Sequence, residues 1–598
     1  MNIEYLILAI IILIFTGIKA KKSFYDVKKF IGILLIGMTL SLSVLVFPIN
    51  EGKNMVSKAV FSIIYAAQTI ILAEDVSLAD TININGIVEI LYLGIIYILY
   101  LAMPLLTASF LLSLIDDFTT KIKLYFASRG KVIIFSEINE KSLILAEKLK
   151  AKNTIFIFAN CSNEVKDKFH KDIKTLKVIT VPESVENINL KNIKSKDITY
   201  YMITEQSDDD LEQTLQIIEK YKHRPLNIYV ITNSDIARTI LDSTDKGNIR
   251  VEIVNEMERT VYKVLTDMPL YMNAINNEIS VLIVGAGKVG REFLKAITWC
   301  GQIIGYKLKI TVIDKRANFI KEKLDKHYPE LLEKYEYNFI EADINSKKMT
   351  EELDKIDNIN YIIIALNEEL NIKEAIFLRK YFICRDKKEF KNKPIINVWV
   401  ENYLKNKQVN VLKNEKNNEY DFNAFGSVKQ IYYDDSIINS KLEKMTQNVH
   451  LSYNPNDIEL KNFYEKEYNI RSSRATALHI QYKLYSVLKE EYTGNLEKDL
   501  EKFEELLKDK EIVQKLAKNE HDRWLAYMRS DGYSKASLEQ VNNYIKNTNS
   551  YKHHLAKMHP ALVEYEQLDE IGEKLGVDLK AADEEIIKGI PEIIKKSL

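Results

Sequence analysis

The stretch Val281-Leu282-Ile283-Val284-Gly285-Ala286-Gly287-Lys288-Val289-Gly290 decides the fold of the middle of this chain. Its four apolar residues are typical of a buried strand, and a helix-forming segment, residues 291–298, follows the glycines directly. In such a turn the first glycine permits a sharp bend, the second lets a phosphate approach the backbone, and the third lets helix and strand pack closely. Because the first turn of a helix has unpaired N–H groups, the stretch predicts a phosphate-binding turn in an α/β domain.

Short apolar strands alternate with amphipathic segments on both sides of this turn. They fall into two series: residues 131–135, 154–158, 177–181, 198–203 and 227–231, and then 279–284, 308–313, 337–340, 361–365 and 395–400. Strands that alternate with helices are typical of parallel sheets built from βαβ units. The two series therefore predict tandem Rossmann-like domains over residues 130–270 and 278–405.

The two predicted domains differ at the turn that follows their first strand. In the second domain Asp314 ends the next strand, where a carboxylate can bond a ribose hydroxyl. The first domain has Ser136-Glu137-Ile138-Asn139-Glu140 at this turn, without glycine and with two carboxylates. We expect only the second domain to bind a nucleotide, with NAD(H), ATP, ADP or another nucleotide messenger as candidates.

The second domain resembles the TrkA-N (RCK) family, the cytosolic nucleotide-binding domains of potassium channels and transporters. The resemblance is carried by residues 281–290, 312–314, 341–343 and 364–371, and extends more faintly over 130–270. It implies ring-shaped assembly, so we expect a homo-oligomer, a tetramer, without redox chemistry. It also implies a ribose contact at Asp314 and an adenine contact near Asp343. The predicted nucleotide site consists of Gly285, Gly287, Lys288, Gly290, Asp314, Lys315, Asp343 and Asn371.

Four apolar segments near the N-terminus predict a transmembrane domain over residues 1–125. They are residues 5–18, 30–47, 59–73 and 87–115. A membrane-spanning helix needs about 20 apolar residues, within a range of roughly 17–25. The second and fourth segments meet this length, and the first reaches it if its flanking lysine extends toward the interface. The third segment is marginal.

Lysine placement predicts the topology, because loops rich in positive charge stay on the cytoplasmic side. Such residues follow both the first and the fourth segment: Lys19, Lys21, Lys22, Lys28 and Lys29, and then Lys121, Lys123, Arg129 and Lys131. About three spans place both groups on that side. We therefore expect residues 59–73 to form a re-entrant or interfacial helix.

A short re-entrant helix between two spans is the plan of a tetrameric cation-channel pore. The potassium filter motif is absent, because Glu74-Asp75-Val76-Ser77 follows the third segment without a glycine. The sequence therefore indicates a pore without potassium selectivity. A plain membrane anchor and a four-span arrangement are the alternative interpretations.

A mainly helical region is predicted over residues 450–598. Its motifs are Glu520-His521-Asp522-Arg523-Trp524, Gly532-Tyr533, and His559-Pro560-Ala561-Leu562-Val563-Glu564-Tyr565. This order resembles the RyR domain, the repeat named for ryanodine receptors, over about 515–575. Aromatic faces beside arginine and histidine suit a planar, anionic ligand. The predicted ligand site consists of His521, Arg523, Trp524, Tyr533, Lys552, His559 and Tyr565.

Other interpretations of this region remain open. Trp524 and Tyr565 could simply form the core of a small helical module. Metal binding at the nearby histidines is not expected, since no carboxylate or thiol completes a ligand set. Upstream, the pair Arg471 and Arg474 with the serines between them is consistent with a phosphate site or with an exposed helix start.

Composition excludes several classes of protein. The chain has 598 residues, 46% hydrophobic and 28% charged, with a formal net charge of -1, so it is a multidomain protein and is not disordered. A net charge near zero gives no support to duplex nucleic acid as a partner. Cys161, Cys300 and Cys384 lie far apart, which excludes a disulfide framework. The mean hydropathy of -0.17 hides the apolar N-terminus.

Together these features predict a multidomain membrane protein with an α-helical transmembrane domain, tandem Rossmann-like α/β domains and a mainly α-helical C-terminal domain. We expect a multi-pass protein of the cell (inner) membrane with a large cytoplasmic region. Its expected function is a nucleotide-signal-gated ion channel or pore-forming effector, not an enzyme. By analogy of architecture, it would act in bacterial antiviral or stress signalling.

Two further functions compete with this expectation. A housekeeping potassium channel or transport regulator would use the same Rossmann-like domains, but the missing filter argues against it. A membrane-anchored NAD-dependent oxidoreductase would use the glycine turn for hydride transfer. No Ser-Tyr-Lys constellation or equivalent stands out to supply its acid or base.

Overall fold

The computed structural model contains two compact units, Met1–Ser128 with Lys191–Lys194, and Arg129–Leu190 with Ser195–Leu598. It describes the chain except residues 1–2, 22–26, 50–53, 72–81, 83–85, 127–129, 177, 191–192, 194, 196, 205–206, 357, 386–392, 403–408, 410–421, 434–439 and 549–551. The segment Glu74-Asp75-Val76-Ser77, on which the missing potassium filter depends, lies outside the described residues.

The first unit consists of helices α1 (Ile3–Lys21), α2 (Val27–Val46), α3 (Met55–Thr69) and α4 (Ile87–Phe126). Among the described residues, the stretches Ile3–Lys21 and Ile87–Leu111 are long and apolar enough to cross a membrane, whereas Phe30–Val46 is shorter. Helix α3 has 15 residues. At 1.5 Å per residue it extends about 22 Å, less than the roughly 30 Å of a hydrocarbon core. The structure thus supports two candidate spans, fewer than the three expected.

Close backbone contact joins α1 and α2. A Cβ atom added at Gly37 would lie only 2.1 Å from Thr16 Oγ1, and the Ser41 hydroxyl donates to the Ala9 carbonyl at 3.0 Å. Small residues at such a contact are typical of helices that pack within a membrane. The outward faces of this unit carry exposed large apolar side chains, which include Ile11, Ile14, Phe15, Ile98, Leu101 and Leu105.

The second unit contains two parallel six-stranded sheets with the same connectivity. The first has the strand order β3-β2-β1-β4-β5-β6. Its strands are β1 (Lys131–Phe135), β2 (Thr154–Phe158), β3 (Ile179–Thr180), β4 (Ile198–Met202), β5 (Leu226–Ile231) and β6 (Ile249–Val254). Its helices are α5 (Glu140–Lys148), α6 (Asn163–Lys168), α7 (His170–Leu176), α8 (Ser207–Tyr221), α9 (Asp235–Ser243) and α10 (Glu256–Asp267). Strand β6 has no counterpart among the strands expected from the sequence.

The second sheet has the strand order β12-β11-β10-β7-β8-β9. Its strands are β7 (Glu278–Val284), β8 (Lys307–Asp314), β9 (Tyr337–Glu341), β10 (Tyr361–Ile364), β11 (Ile395–Trp399) and β12 (Phe422–Phe425). Its helices are α11 (Lys288–Cys300), α12 (Ala317–His327), α13 (Pro329–Lys334), α14 (Lys347–Leu353) and α15 (Glu368–Arg385). Strand β12 lies beyond residue 405, where we expected this domain to end. Both sheets are therefore Rossmann-like.

The remaining residues of the second unit are mainly helical. The helices are α16 (Val428–Tyr432), α17 (Lys441–Tyr453), α18 (Lys461–Glu465), α19 (Glu467–Leu488), α20 (Leu496–Leu506), α21 (Lys510–Ser530), α22 (Leu538–Thr548), α23 (Leu568–Leu575) and α24 (Leu579–Ser597). Strands β13 (Ser534–Lys535) and β14 (Met558–His559) pair in a short ladder. Short 3₁₀ helices occur at Val185–Asn187, Lys489–Glu491 and Tyr565–Gln567.

Helix α21 packs against α11, the helix that follows the glycine turn. The rings of Tyr527 and Trp299 meet edge to face at 6.1 Å, and the Ser530 hydroxyl donates to the Lys295 carbonyl at 3.2 Å. These aromatic rings belong to one buried apolar core that the second sheet shares with the C-terminal helices. The helical region is thus built onto the second sheet.

Buried ion pairs attach α19 to the first sheet. Arg474 bonds Glu443 at 2.9 Å and Glu252 of β6 at 3.2 Å, while Arg471 bonds Glu258 of α10 at 3.1 Å. Arg474 is fully buried, and Arg471 lies inside the helix, not at an exposed start. Because carboxylates already neutralise both guanidinium groups, the structure corrects the hypothesis of a phosphate site here.

Candidate nucleotide-binding sites

Two glycines of the turn after β7 are required by packing. Gly285 has a φ of +92°, and a Cβ atom there would lie 2.7 Å from the Ala365 carbonyl oxygen. Its N–H donates to the Ile313 carbonyl of β8 at 2.9 Å. A Cβ at Gly290 would lie 2.0 Å from the Gly285 carbonyl oxygen. Only glycine fits at these two positions without a shift of the backbone.

Gly287 differs from both, because its surroundings are open. It is the N-cap of α11 and has no side chain to bond the first N–H groups of the helix. The nearest atom to a Cβ built there is the Ala365 carbonyl oxygen, at 3.9 Å. Gly287 follows β7 at the point where the strand order reverses between β8 and β10. Ligands of open α/β sheets bind at this place, and the helix N-terminus favours a phosphate.

Asp314 ends β8 and faces the glycine turn. One carboxylate oxygen accepts the Ala286 N–H at 2.9 Å, and the other accepts the Arg316 N–H at 2.8 Å. These bonds fix the carboxylate beside the open N-terminus of α11. An ionised carboxylate has about four lone-pair sites, so it keeps capacity for ribose hydroxyls. The structure thus brings Asp314 and the three glycines together.

The charged residues of the predicted site lie at the carboxyl ends of the strands. Lys288 begins α11 and Lys315 follows β8, and both side chains are exposed. Asp343 follows β9 and is exposed, with one carboxylate oxygen accepting the Asn345 N–H at 2.8 Å.

Asn371 has a different position from the other predicted residues. It is fully buried in α15. Its amide oxygen accepts the Leu366 N–H at 2.7 Å, and its amide nitrogen donates to the Trp399 carbonyl at 2.8 Å. In the structure Asn371 therefore holds the loop after β10, which contacts Gly285, and its polar atoms are bonded within the protein.

The first sheet has side chains in the corresponding crevice. The Ser136 hydroxyl accepts the Ile203 N–H at 2.7 Å and donates to Asp210 at 3.3 Å. The Asn139 amide nitrogen donates to the Ile203 carbonyl at 2.7 Å. Asp210 is fully buried and accepts the Thr204 N–H at 3.0 Å, and burial raises its pKa to about 7. The polar groups beside this turn are therefore bonded within the protein, and we call this crevice the closed crevice.

A second candidate site is a cavity of about 280 Å³ among the C-terminal helices. Ligand pockets typically have volumes of about 300–1,000 Å³. Five residues of the predicted RyR-like site line the cavity: His521, Arg523, Trp524, Lys552 and His559. Residues outside the predicted site line it as well: His450, Tyr453, Asn454, Tyr468, Asn469, Ser472, Ser473, Thr476, Glu520, Ala561, Leu568, Leu579, Ala582 and Asp583. Glu520 and Ala561 lie in the quoted motifs and the serines lie between Arg471 and Arg474, but no sequence signal indicated the others, because no local motif links these helices.

Charged groups of the cavity wall are paired. Arg523 forms two bonds to Glu520, at 2.7 and 3.0 Å, and Lys483 bonds the same carboxylate at 2.6 Å. His521 lies 3.3 Å from Asp583 and 2.8 Å from the Val563 carbonyl. Arg523, Lys552 and Lys483 thus stand against the two carboxylates of Glu520 and Asp583, and this excess of positive charge favours an anionic ligand.

Trp524 is half-buried and serves both the core and the cavity. Its ring meets the His559 ring edge to face at 4.9 Å and lies near the His521 ring at 5.6 Å. It packs against Ala561, Val563 and neighbouring apolar residues on its other side. The core interpretation and the ligand interpretation are therefore compatible for this side chain.

The two predicted tyrosines lie outside the lining of the cavity. The Tyr533 hydroxyl is 2.8 Å from His554 Nδ1. The Tyr565 ring lies 5.8 Å from the His521 ring, and Lys580 Nζ is 4.9 Å from the Tyr565 ring centroid. Each tyrosine ring lies near a residue of the lining, Tyr533 at 6.2 Å from the Tyr468 ring and Tyr565 beside His521. Within the part of the chain that the structure describes, no group of three or more metal-ligating side chains is positioned to hold a metal ion.

No protein-family model and no curated protein matches the chain. Among solved structures, it is similar to one described as GsuK bound to ADP, with 12% identity over 67% of this chain and 95% of that chain, at a TM-score of 0.33. It is also similar to the GsuK RCK domain, with 12% identity over 54% of this chain and 78% of that chain, at a TM-score of 0.31. Similarities at this level do not determine the function of the chain.

Proposed function

We propose that this chain is a nucleotide-regulated membrane protein, an ion channel or pore-forming effector whose α/β and helical domains sense a nucleotide-derived ligand. One observation carries the proposal. The helix α11 begins beside open space at Gly287, at the topological switch point of the second sheet, with the Asp314 carboxylate next to it. A helix N-terminus attracts phosphate, and a carboxylate after the second strand attracts ribose.

The ligand of this crevice is expected to contain an adenosine diphosphate group. NAD(H), ATP and ADP share this ribose-phosphate portion. Asp314 would accept from the ribose hydroxyls, and the N–H groups at the start of α11 would donate to the phosphates. The exposed Lys288 and Lys315 side chains supply further positive charge near the phosphates. Asp343 would lie toward the adenine.

The N-terminal helices supply the proposed membrane part. Two stretches are long and apolar enough to span, and their outward faces expose large apolar side chains. Such a surface suits lipid hydrocarbon better than water. We propose a third span at α2, a non-spanning α3, and assembly into a homotetramer. A ligand can then gate the membrane part only through its different affinity for the two states.

The C-terminal cavity supplies a second proposed ligand site. Its aromatic wall at Trp524 and its excess positive charge suit a planar anion such as a nucleobase carrying phosphate. The RyR resemblance extends this to a role in antiviral or stress signalling. That role is a hypothesis about the pathway, tested by expressing the gene under phage challenge.

A flux experiment tests the proposal. Full-length protein in liposomes is compared with Gly287→Asp and Trp524→Ala, with and without ADP, NAD or AMP, and Lys588→Gln serves as an exposed control on α24. We expect ligand-dependent ion flux in the wild type and in the control. Loss of the response in Gly287→Asp alone assigns sensing to the crevice, and loss in Trp524→Ala alone assigns it to the cavity. Absence of flux under every ligand contradicts the channel function.

An oxidoreductase is the competing function. It would require turnover of NADH with some substrate, in addition to binding. Binding of ADP as tightly as NAD, without NADH oxidation, argues for a regulatory site. A potassium transport regulator would instead show selective potassium flux in the same liposomes.

A further inference from the structure

His521 lies on the wall of the C-terminal cavity, where three segments of the chain meet. It belongs to α21 and is 2% exposed. Its Nε2 atom lies 2.8 Å from the carbonyl oxygen of Val563, in the segment between β14 and α23. Its Nδ1 atom lies 3.3 Å from a carboxylate oxygen of Asp583 in α24. A single buried ring therefore connects α21 to two other walls of the cavity.

Both neighbours of the ring are hydrogen-bond acceptors. A backbone carbonyl accepts only, and an ionised carboxylate accepts only. A neutral imidazole has one N–H, so it can donate to Val563 or to Asp583, but not to both. The lone pair of its other nitrogen then faces the oxygen of the remaining acceptor. The imidazolium form has two N–H groups and satisfies both. With Asp583 ionised, the geometry therefore favours the protonated ring; burial raises the pKa of Asp583, and the bond to His521 opposes that rise.

The electrostatic surroundings agree with the geometry. Burial opposes a charged ring, but the Asp583 carboxylate outweighs it and raises the pKa of His521 above its usual value. The other titratable groups near the ring are Asp522 on α21, and His559 and Tyr565 on the neighbouring segment, while Glu520 and Arg523 act on Asp583. Glu520 is already paired with Arg523, and burial together with Lys552 lowers the pKa of His559 to about 3, so this neighbour is neutral.

We propose that His521 is a positioning residue that acts as a protonated latch, holding Val563 and Asp583 together so that the cavity keeps the shape its ligand meets. The inference rests on the proposed function, which makes the cavity a ligand site. When His521 releases its proton to solvent, one of its two bonds is lost and a wall of the cavity is freed. Ligand sensing in this cavity would then weaken as the pH rises.

The raised pKa of His521 determines how the strength of the latch changes with pH. The folded protein holds the proton of His521 more tightly than the unfolded chain, so the latch contributes fully below the ordinary histidine pKa of about 6.5. The contribution is lost as the pH rises through the raised pKa of the folded state. Between these two values, each pH unit weakens the latch about tenfold; above the raised pKa both states hold the neutral ring and the contribution is absent.

Amide hydrogen exchange of the full-length protein in detergent tests the latch without any ligand. We measure protection factors, corrected for intrinsic exchange, for residues 561–565 and 579–586 between pH 6 and pH 9. The wild type is expected to lose protection by about tenfold or more over this range. In Asp583→Asn, the loss should move to lower pH by about one unit or more, because an adjacent carboxylate typically changes a pKa by about that amount.

Two further variants keep the test decisive. His521→Gln should give weak protection that does not depend on pH, with unchanged far-ultraviolet circular dichroism. Glu584→Gln removes a carboxylate one position from Asp583 that pairs with Lys588 at 2.8 Å, and it should retain the wild-type profile. Protection that is constant with pH in the wild type, or an unshifted profile in Asp583→Asn, overturns the latch.

Failure of the latch and failure of the proposed ligand site give different results. Binding of AMP and of inorganic pyrophosphate is measured by calorimetry at pH 6.5 and pH 8.5. If neither probe binds at the cavity while the exchange profile holds, the ligand site fails and the latch stands. Binding that depends on Trp524 but is equal at both pH values, with flat exchange profiles, overturns the latch and leaves the ligand site intact.

Discussion

The two sheets of the second unit have the same strand order, but different residues stand at the start of their first helix. In both, the first helix begins where the strand order reverses. In the second sheet that place holds Gly285 and Gly287, and the helix start has no side-chain cap. In the first sheet Ser136 follows β1, and the Asn139 side chain caps α5. The same strand order thus carries one helix start without a side-chain cap and one whose polar neighbours are already bonded within the protein.

The helix after the fourth strand sharpens this comparison. Asp210 in α8 accepts the N–H of Thr204, two residues beyond the end of β4. Asn371 in α15 accepts the N–H of Leu366, two residues beyond the end of β10. The same structural role is therefore performed by a carboxylate in one crevice and by a neutral amide in the other. A carboxylate repels phosphate, so the two crevices differ in charge as well as in glycine, and the proposed nucleotide site lies in the one without this carboxylate.

Replacing Asn371 by the aspartate found at position 210 should produce the largest change in stability. Asn371→Asp replaces the amide that donates to the Trp399 carbonyl with a buried carboxylate that faces an oxygen. We expect the free energy of unfolding to fall by about 3–5 kcal/mol at pH 8, the usual range for an uncompensated buried charge. Denaturant unfolding followed by tryptophan fluorescence measures it. A loss below about 1 kcal/mol would mean that the site tolerates a carboxylate and that the comparison is wrong.

The reverse substitution, Asp210→Asn, should raise the free energy of unfolding by an amount that depends on pH. The pKa of Asp210 is raised by burial to about 7, above its unfolded value, so its protonated form stabilises the fold and that stability is lost as the pH rises from about 4 to about 7. Asp210→Asn removes this titration. Relative to the wild type, the variant should gain about 3 kcal/mol between pH 5 and pH 8. Unfolding curves at the two pH values provide the measurement, and a constant difference contradicts it.

A charge at the open crevice should affect binding more than stability. A Cβ at Gly287 has room, so Gly287→Asp should fold, but its carboxylate would face the phosphates. We expect ADP affinity to fall about thirtyfold. Asn139→Asp is the matched change in the closed crevice, because aspartate also caps helices well. It loses the bond to the Ile203 carbonyl and some stability with it, but it should leave ADP affinity unchanged. Calorimetry compares the two variants, and equal effects would remove the distinction between the crevices.

The smallest expected effect is local protection by ligand. At ADP concentrations about ten times the dissociation constant, bound ligand should slow amide exchange about tenfold in residues 285–291. Residues 136–142 of the closed crevice should exchange at the same rate with and without ADP. Hydrogen-exchange mass spectrometry on full-length protein makes the measurement. Equal protection of both segments would indicate a global effect of ligand instead of a specific site.

Much of this arrangement could be predicted from sequence, because its causes are local. The strand before Gly285, the helix after Gly290 and the carboxylate at Asp314 are all readable in short stretches. Asn371 was included in the site, but its bonds to Leu366 and to Trp399 depend on the loop after β10 and on β11. The ion pairs of Arg474 could not be foreseen either, since Glu252 lies 222 residues away in the chain.

By itself, the sequence determined the apolar N-terminal segments, the two series of strands and the place of the glycine turn. Each follows from residue spacing, because helices and strands have fixed periods and because Gly285 adopts a positive φ that other residues rarely adopt. Only the tertiary structure decided in which crevice the polar groups are bonded within the protein, which charges are neutralised and which helices enclose the C-terminal cavity. These properties depend on distances between residues far apart in the chain, and burial determines whether their charges are paired or left to attract a ligand.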